Sequence, residues 1–141
     1  MPLSAIYSKI FIVPQSAIDE NGHVNNVAYV QWMQDIAVEH YSSIGGIEAQ
    51  GTNATWVVRE HRIEYLLPAF AGEEIEIKTW IENVRRVRSL RKYEFIRKSD
   101  GRVLVRGETD WVLVDTKDGR PMAVPEKVIS VFSANNEKSQ S

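Results

Sequence analysis

The feature that most constrains the fold is a series of four long strand-like segments that comes after a single long helix-like segment. Residues 73–84 show the clearest pattern, because Ile75, Ile77 and Ile81 alternate with charged side chains. Such alternation indicates strands with one buried face. Asp-Gly pairs within 99–102 and 117–120 are typical of tight turns. Short turns between consecutive strands predict an antiparallel meander. The four segments are residues 56–67, 73–84, 89–98 and 103–115.

The helix is predicted over about residues 26–43, where apolar side chains recur at steps of three and four. Asn25 or Asn26 is a suitable N-cap, and Gly45-Gly46 is a suitable end. This segment has little polar face, so we expect it to be buried on more than one side. A first strand is predicted over residues 6–13, before Pro14.

These elements predict an α+β fold of two layers, in which one helix lies against one face of the sheet. Residues 1–132 are expected to form a single domain, and the polar residues 133–141 a flexible tail. Residues 128–132 are expected to form a short terminal helix. A curved sheet around one helix leaves an edge open, and such edges are usually covered. We therefore expect a homodimer or homotetramer.

Composition excludes several classes of function. The chain of 141 residues has no cysteine, which rules out disulfides, thiolate zinc sites and cysteine nucleophiles. A formal net charge of -2 argues against a nucleic-acid-binding protein. No apolar run approaches the roughly 18 residues needed to span a bilayer, and no signal peptide is evident. The histidines lack metal-ligand spacing, so no metal is expected. We expect a cytoplasmic protein that does not bind membranes.

One segment combines an acid, a histidine and three amides directly before the helix: Asp19-Glu-Asn-Gly-His-Val-Asn-Asn26. One interpretation is a capping loop, because Asp, Asn and Gly favour turns and caps. The other is an active site. The first N–H groups of a helix are unpaired and favour negative charge, so they can polarise a thioester carbonyl. A carboxylate nearby could attack that carbonyl or activate water.

The same residues, with Tyr29 and Trp32, resemble the active-site region of hot-dog fold acyl thioesterases. The similarity is greatest to the branch of 4-hydroxybenzoyl-CoA thioesterase and the plant acyl-ACP thioesterases, with its Asp-x-x-x-His-Val-Asn-Asn-x-x-Tyr-x-x-Trp pattern. Further segments resemble that family's second strand and last strand, so that roughly residues 5–132 are covered. These segments are Arg59–Leu67 with Pro68 and Gly72-Glu73, and Trp111–Asp115 with Gly119-Arg120-Pro121 and Pro125.

The resemblance implies a five-stranded antiparallel sheet wrapped around one long helix, with active sites at subunit interfaces. It implies hydrolysis of acyl-CoA or acyl-carrier-protein thioesters without a cofactor. By position, Asp19 matches the catalytic carboxylate, as nucleophile or general base, and the Asn26 N–H matches the donor that polarises the carbonyl. Asn21 and His23 match polar positions of the acyl-ACP branch. Gly22 and Tyr29 are the expected substrate contacts within the motif.

Other polar residues have two interpretations each. The basic cluster Arg85, Arg86, Arg88, Arg91 and Lys92 is either a solvated hairpin or a site for the phosphates of coenzyme A or phosphopantetheine. Asp35, on the apolar helix, is either solvent-facing or a reserve catalytic acid. His61 is expected to be a core or interface histidine, and His40 to lie on the helix surface.

Two further functions remain open on the same fold. Hot-dog hydratases carry an Asp-x-Asn-x-x-His pattern, but here the histidine stands one residue earlier and Gly22 occupies a position where that pattern has proline. A non-catalytic acyl-CoA-binding module would bind the thioester without turning it over. The intact Asp19 argues against the second alternative.

Overall fold

A computed structural model describes residues 2–140; Met1 and Ser141, the ends of the predicted domain and tail, lie outside these residues. The strands are β1 (Tyr7–Ile12), β2 (Ala54–Tyr65), β3 (Glu74–Arg85), β4 (Arg88–Arg97) and β5 (Val103–Asp115). The helices are α1 (Asn26–Ser43), α2 (Gly46–Gln50) and α3 (Glu126–Gln140). No helix among the described residues is long and apolar enough to cross a bilayer.

All five strands form one antiparallel sheet in the order β1-β3-β4-β5-β2, which confirms the α+β class. The predicted simple meander is wrong at one connection. β2 pairs with β5 rather than with β3, so residues 66–73 carry the chain from one side of the sheet to the other. The two edge strands are β1 and β2.

α1 packs against the sheet through Tyr29, Met33, Ile36 and Ala37, which contact the inward-facing side chains of the central strands. Contact is closest at Gly107 of β5, where an added Cβ would lie 3.0 Å from the Met33 sulfur. The helix is therefore seated on a strand position that lacks a side chain. Its opposite side is partly exposed, at Val27 and Val38 for example, so α1 is buried mainly on one side.

The C-terminal region differs from expectation. α3 begins at Glu126 and continues through the polar segment to Gln140, where we expected only a short helix and a flexible tail. The extension is held by side-chain amides. Asn135 Oδ1 accepts from the Ala5 N–H at 3.2 Å, and Asn136 donates to the Pro2 carbonyl at 3.2 Å. Polar composition predicted fraying, but these amides bond to the N-terminal segment.

Candidate active site at the start of the long helix

The predicted motif folds into a tight hairpin that ends at α1. Ile18 and Val24 form an isolated antiparallel bridge, and the Asp19 N–H donates to the His23 carbonyl at 3.0 Å. The Gly22 N–H donates to the Asp19 carbonyl at 3.0 Å, and Gly22 has a φ of 84°, which glycine adopts without strain. Asp19 and His23 are therefore held opposite each other.

The Asp19 carboxylate is partly buried and is used by the hairpin itself. Its Oδ1 accepts from the Asn21 N–H at 2.9 Å, which is an Asx turn. Among the described residues Asp19 forms no ion pair, so no neighbouring cation neutralises its charge. Asn21 contributes its backbone to this turn, and its side chain is exposed.

Asn25 is the N-cap of α1. Its Oδ1 accepts from the Val27 N–H at 2.8 Å, and its own N–H donates to the Ala17 carbonyl at 2.8 Å. The next donor, the Asn26 N–H, has no acceptor among the backbone and side-chain groups that the structure describes. Because the helix dipole places partial positive charge at this end, the free N–H is suited to bind a carbonyl oxygen or an oxyanion.

The connection between β2 and β3 forms the other side of the site. The Tyr65 hydroxyl donates to the Asn26 carbonyl at 3.4 Å, and the His23 ring makes an edge contact with Phe70 at 6.5 Å between centroids. The Val24 N–H donates to the Ala69 carbonyl at 2.9 Å. Exposed apolar side chains surround this end of α1, which is typical of a surface that another molecule covers. They are Val27, Tyr65, Leu66 and Phe70.

Tyr29 is a core residue in this structure. Its ring is 2% exposed and makes edge contacts with Trp32, Tyr65 and Phe95. Burial, with smaller contributions from Tyr65 and Glu73, raises the pKa of Tyr29 to about 12. Its position in the motif therefore has a packing explanation, and its expected contact with substrate remains a prediction.

Asp35, the reserve acid, lies nine residues along α1 from Asn26, which corresponds to about 14 Å. It is exposed, and its Oδ1 accepts from the Gln31 side chain at 2.8 Å. Within one chain, Asp35 is thus not part of the group formed by Asp19, His23 and the Asn26 N–H.

The basic cluster is divided by the structure. Arg85 and Arg86 are exposed in the β3–β4 turn, and Arg88 is paired with Asp110, which also contacts Arg59 at 3.6 Å. The segment just before β3 contacts the Asp19 hairpin, since the Val24 N–H donates to the Ala69 carbonyl, and β3 then runs from Glu74 to Arg85. At 3.3 Å per residue the two regions are about 36 Å apart along the strand. One chain therefore does not bring them together.

Arg91, which we grouped with the exposed turn, is instead buried at 2% exposure. The alternation of β4 explains the difference, because Arg91 shares the inward face with Ser89, Tyr93 and Phe95. The expectation that His40 lies on the helix surface is also wrong. It is 1% exposed and bonded to Arg91. A period of two around 89–95 was the sequence signal that could have located Arg91.

His61 is half-buried on β2 and hydrogen-bonded, as expected for a structural histidine. Its Nδ1 lies 2.8 Å from the Thr109 hydroxyl, and its Nε2 lies 3.4 Å from the Gln34 amide. Burial lowers the pKa of His61. In the part of the chain that the structure describes, no group of three or more His, Asp or Glu side chains is arranged to hold a metal ion.

Comparison with known proteins identifies the family. The model of the thioesterase-like superfamily matches residues 13–132. The fold is similar to that of a 1,4-dihydroxy-2-naphthoyl-CoA thioesterase from Synechocystis, with a TM-score of 0.79 and 16% identity over 91% of this chain and 96% of that one. It is similar to a DHNA-CoA thioesterase from Staphylococcus aureus, with a TM-score of 0.77 and 21% identity over 96% and 91%.

The fold also resembles the 12:0-ACP thioesterase from Umbellularia californica, with a TM-score of 0.81 and 18% identity over 92% of this chain and 50% of that chain. No curated protein sequence matches significantly. The predicted five-stranded hot-dog fold is confirmed by these structures, and the expectation of a thioester hydrolase is confirmed at the level of the family. The chain belongs to the thioesterase-like superfamily.

Proposed function

We propose that the protein hydrolyses acyl-CoA or acyl-carrier-protein thioesters to a free acid and a thiol, with Asp19 as nucleophile or general base. The observation that carries this proposal is the hairpin of residues 18–24. It holds a carboxylate without an ion-pair partner next to a helix start whose Asn26 N–H is free. The thioesterases to which the chain is structurally similar act on CoA and ACP thioesters, which supports this substrate class.

In this mechanism the thioester carbonyl accepts from the Asn26 N–H, which stabilises the oxyanion as the carbonyl is attacked. One such donor contributes about 3 kcal/mol to transition-state stabilisation in comparable sites. Asp19 either removes a proton from the attacking water or attacks the carbonyl itself to form an anhydride that water then opens. In both routes the carbon–sulfur bond breaks and the thiolate leaves. His23, opposite Asp19 in the hairpin, is placed to orient the water or protonate the thiolate.

The exposed edge strand β2 is the surface through which we expect two copies to pair. An exposed strand edge offers unpaired N–H and C=O groups, and a two-fold axis pairs such an edge with itself in antiparallel fashion. The Tyr65 end of β2 lies beside the active site, because Tyr65 donates to the Asn26 carbonyl. In a pair centred near Glu60, this end meets the Thr55 end of the partner's β2.

The basic turn lies at that other end of β2. Arg88 is level with Val57, because both pair with Val112 of β5. Pairing through β2 thus brings Arg85, Arg86 and Arg88 of one subunit towards the Asp19 hairpin of its partner. Arginine binds phosphate oxygens through two parallel hydrogen bonds, so this arrangement is suited to the phosphates of coenzyme A or phosphopantetheine. The separation seen within one chain supports a site shared between subunits.

The test is thiol release from acyl-CoAs ranging from acetyl to palmitoyl, with benzoyl and phenylacetyl included. We expect Asp19→Asn to lower kcat/KM by about 100-fold or more, which is the usual contribution of a catalytic acid or base. Glu20→Gln is the matched control, because it removes the neighbouring exposed carboxylate and is expected to leave the rate within a few-fold of wild type.

Retained activity in Asp19→Asn would contradict the role of Asp19, and Asp35→Asn would be the next variant. If acyl-CoA is not cleaved, carrier-protein thioesters are tested in the same way. Tight binding of thioester without thiol release would favour a binding module, and hydration of an enoyl-CoA without thiol release would favour a hydratase.

A further inference from the structure

A cavity lies beside the C-terminal half of α1, away from the Asp19 hairpin. It occupies about 230 Å³ between helices α1, α2 and α3 and strands β2, β3, β4 and β5. Its walls are mainly apolar and include Val38, Ile47, Trp56, Ile81, Trp111 and Phe132. Ala37 and Tyr41 also line it, eleven and fifteen residues after Asn26. The cavity is thus about 17–22 Å along the helix from the Asp19 site of the same chain.

A buried cation without a counter-ion lines this cavity. Arg91 is 2% exposed, and its Nη1 donates to His40 Nδ1 at 2.9 Å and to the Thr79 hydroxyl oxygen at 3.1 Å. Neither partner is an anion. Among residues 2–137, whose side chains are described, no Asp or Glu carboxylate lies within ion-pair distance of Arg91. Burying a charge unpaired is costly, so this guanidinium requires an explanation.

His40 does not supply the missing negative charge. Because its Nδ1 accepts from Arg91, this nitrogen carries no proton, and its Nε2 faces Asn135 Oδ1 at 3.4 Å. Burial and the Arg91 charge lower the pKa of His40 to about 4, which keeps the ring neutral at pH 7. Burial lowers the pKa of Arg91 to about 10, so the guanidinium stays charged. The pair therefore retains one net positive charge.

Two further donors in the cavity wall are poorly paired. The buried indole Nε1 atoms of Trp56 and Trp111 make no well-formed hydrogen bond with the described residues, although each indole lies close enough to a tyrosine hydroxyl, of Tyr41 and of Tyr93 respectively, to oppose the rise that burial causes in the pKa of that tyrosine. Two other polar side chains of the wall are paired: the Tyr41 hydroxyl donates to Gln50 Oε1 at 2.7 Å, and the Gln50 amide donates to the Ala54 carbonyl. The cavity thus combines apolar walls with an excess of donors and a cation.

We propose that this cavity binds the carboxylate of an organic acid with an apolar body, with Arg91 as its counter-ion and the Trp56 and Trp111 N–H groups as additional donors. The volume is below the roughly 300 Å³ typical of small drug-sized pockets, which suits an acid of the size of octanoate or benzoate. Two sources have this chemistry. One is a free acid, which the proposed thioester hydrolysis produces. The other is the distal carboxylate of a dicarboxylic acyl group bound at the Asp19 site of the partner subunit, because the Asp19 site of the same chain is farther away than an eight-carbon acyl chain can reach. Both assignments rest on the proposed function, and the second also rests on the proposed pairing through β2.

The direct test is calorimetric titration of the protein with octanoate and with octanamide, its neutral counterpart. We expect octanoate to bind at least about tenfold more tightly, because charge-assisted hydrogen bonds to a buried arginine require the anion. Arg91→Gln is expected to abolish this preference. Arg102→Gln, which removes an exposed arginine of the β4–β5 turn, is the matched control and is expected to keep it.

Trp111→Phe is the second variant, for the case in which Arg91→Gln does not fold. It keeps an aromatic ring and removes one donor, and we expect it to weaken octanoate binding about fivefold, as the loss of one hydrogen bond does. Equal binding of octanoate and octanamide by wild type would overturn the proposal. A full octanoate preference in folded Arg91→Gln, or an unchanged affinity in Trp111→Phe, would overturn it as well.

A kinetic comparison distinguishes the two sources. If the distal carboxylate of the substrate is bound, wild type has a higher kcat/KM for octanedioyl-CoA than for octanoyl-CoA, and Arg91→Gln reverses the order. If a free acid is bound, octanedioyl-CoA gains no advantage while octanoate still binds. The titration needs no turnover. An absence of thiol release from every thioester would therefore contradict the proposed function. The octanoate titration would still decide whether the cavity binds a carboxylate.

Discussion

The buried histidine of α1 makes the stability of the protein depend on pH. In the folded state His40 is enclosed between Tyr7, whose ring stacks on it at 5.0 Å, and the Arg91 guanidinium. Burial is the main reason that its pKa falls from 6.5 to about 4, the Arg91 charge lowers it further, and the Asn135 contact opposes the shift. Unfolding releases the ring into water, where it binds a proton more readily.

The sign and size of the effect follow from proton linkage. Between pH 6.5 and about 4 the unfolded state binds more protons at this site than the folded state, so stability falls as pH falls through this range. At pH 7 the effect is nearly absent. At pH 5 the unfolded ring is protonated and the folded ring is not. This difference lowers the free energy of unfolding by about 2 kcal/mol, since each pH unit between the unfolded pKa and pH 5 contributes about 1.36 kcal/mol.

The assay is urea unfolding followed by circular dichroism at pH 7 and pH 5, for wild type and for His40→Gln. Glutamine keeps a hydrogen-bonding group and does not titrate. We expect the variant to be less stable at pH 7, but to lose about 2 kcal/mol less than wild type between the two pH values. His61→Gln is the matched control. Burial also lowers the pKa of His61, but this ring is more exposed than that of His40, so we expect the pH dependence of His61→Gln to stay closer to that of wild type.

An equal loss of stability by wild type and His40→Gln between pH 7 and pH 5, with unchanged denaturant dependence, would contradict the lowered pKa of His40. That result would mean that the folded protein protonates the ring at pH 5, and the Arg91 contact would then have to be absent in solution.

Two substitutions test the packing at the ends of α1. Asn25→Ala removes the side-chain cap and should lower the free energy of unfolding by about 1 kcal/mol in urea titrations, and also lower thiol release, because the Asn26 N–H lies in the same turn. An unchanged urea midpoint would contradict the cap. Gly46→Ala places a Cβ 2.2 Å from the Tyr41 ring, so we expect a loss of about 2 kcal/mol and a displaced tyrosine, visible in the near-ultraviolet dichroism. A near-ultraviolet spectrum identical to wild type would contradict this contact.

The sequence was sufficient for the elements whose signals are local. α1 occupies the predicted residues 26–43, because its apolar spacing and its cap at Asn25 both lie within the segment. The strands were found through their alternation. Strand neighbours were not, because alternation indicates which side chains share a face and carries no information about the adjacent strand. The pairing of β2 with β5 depends on the path of residues 66–73 across the sheet.

The residues of the candidate site, and those around the buried Arg91, also fall into a group that local sequence predicts and a group that it does not. The hairpin of Asp19 and His23 and the free Asn26 N–H come from eight consecutive residues, and they could be anticipated. The contact between Arg91 and His40 joins two distant segments. Arginine and histidine usually favour the surface, and only the packing of α1 on β4 buries both. Asn135 was missed for a similar reason, since its partners lie in the N-terminal segment and in α1.

The crossing of the chain between β2 and β3 has a consequence for how the protein folds. β3, β4 and β5 are joined by tight turns and can associate as successive hairpins, whereas β2 must wait for β5, a partner far along the chain. Closing that long loop is entropically costly, so β2 is expected to dock late. The edge through which we propose that two copies join is then presented only by a nearly complete subunit. The strand topology thus delays the association of two subunits until each chain has folded. This delay limits pairing between strands of incompletely folded chains.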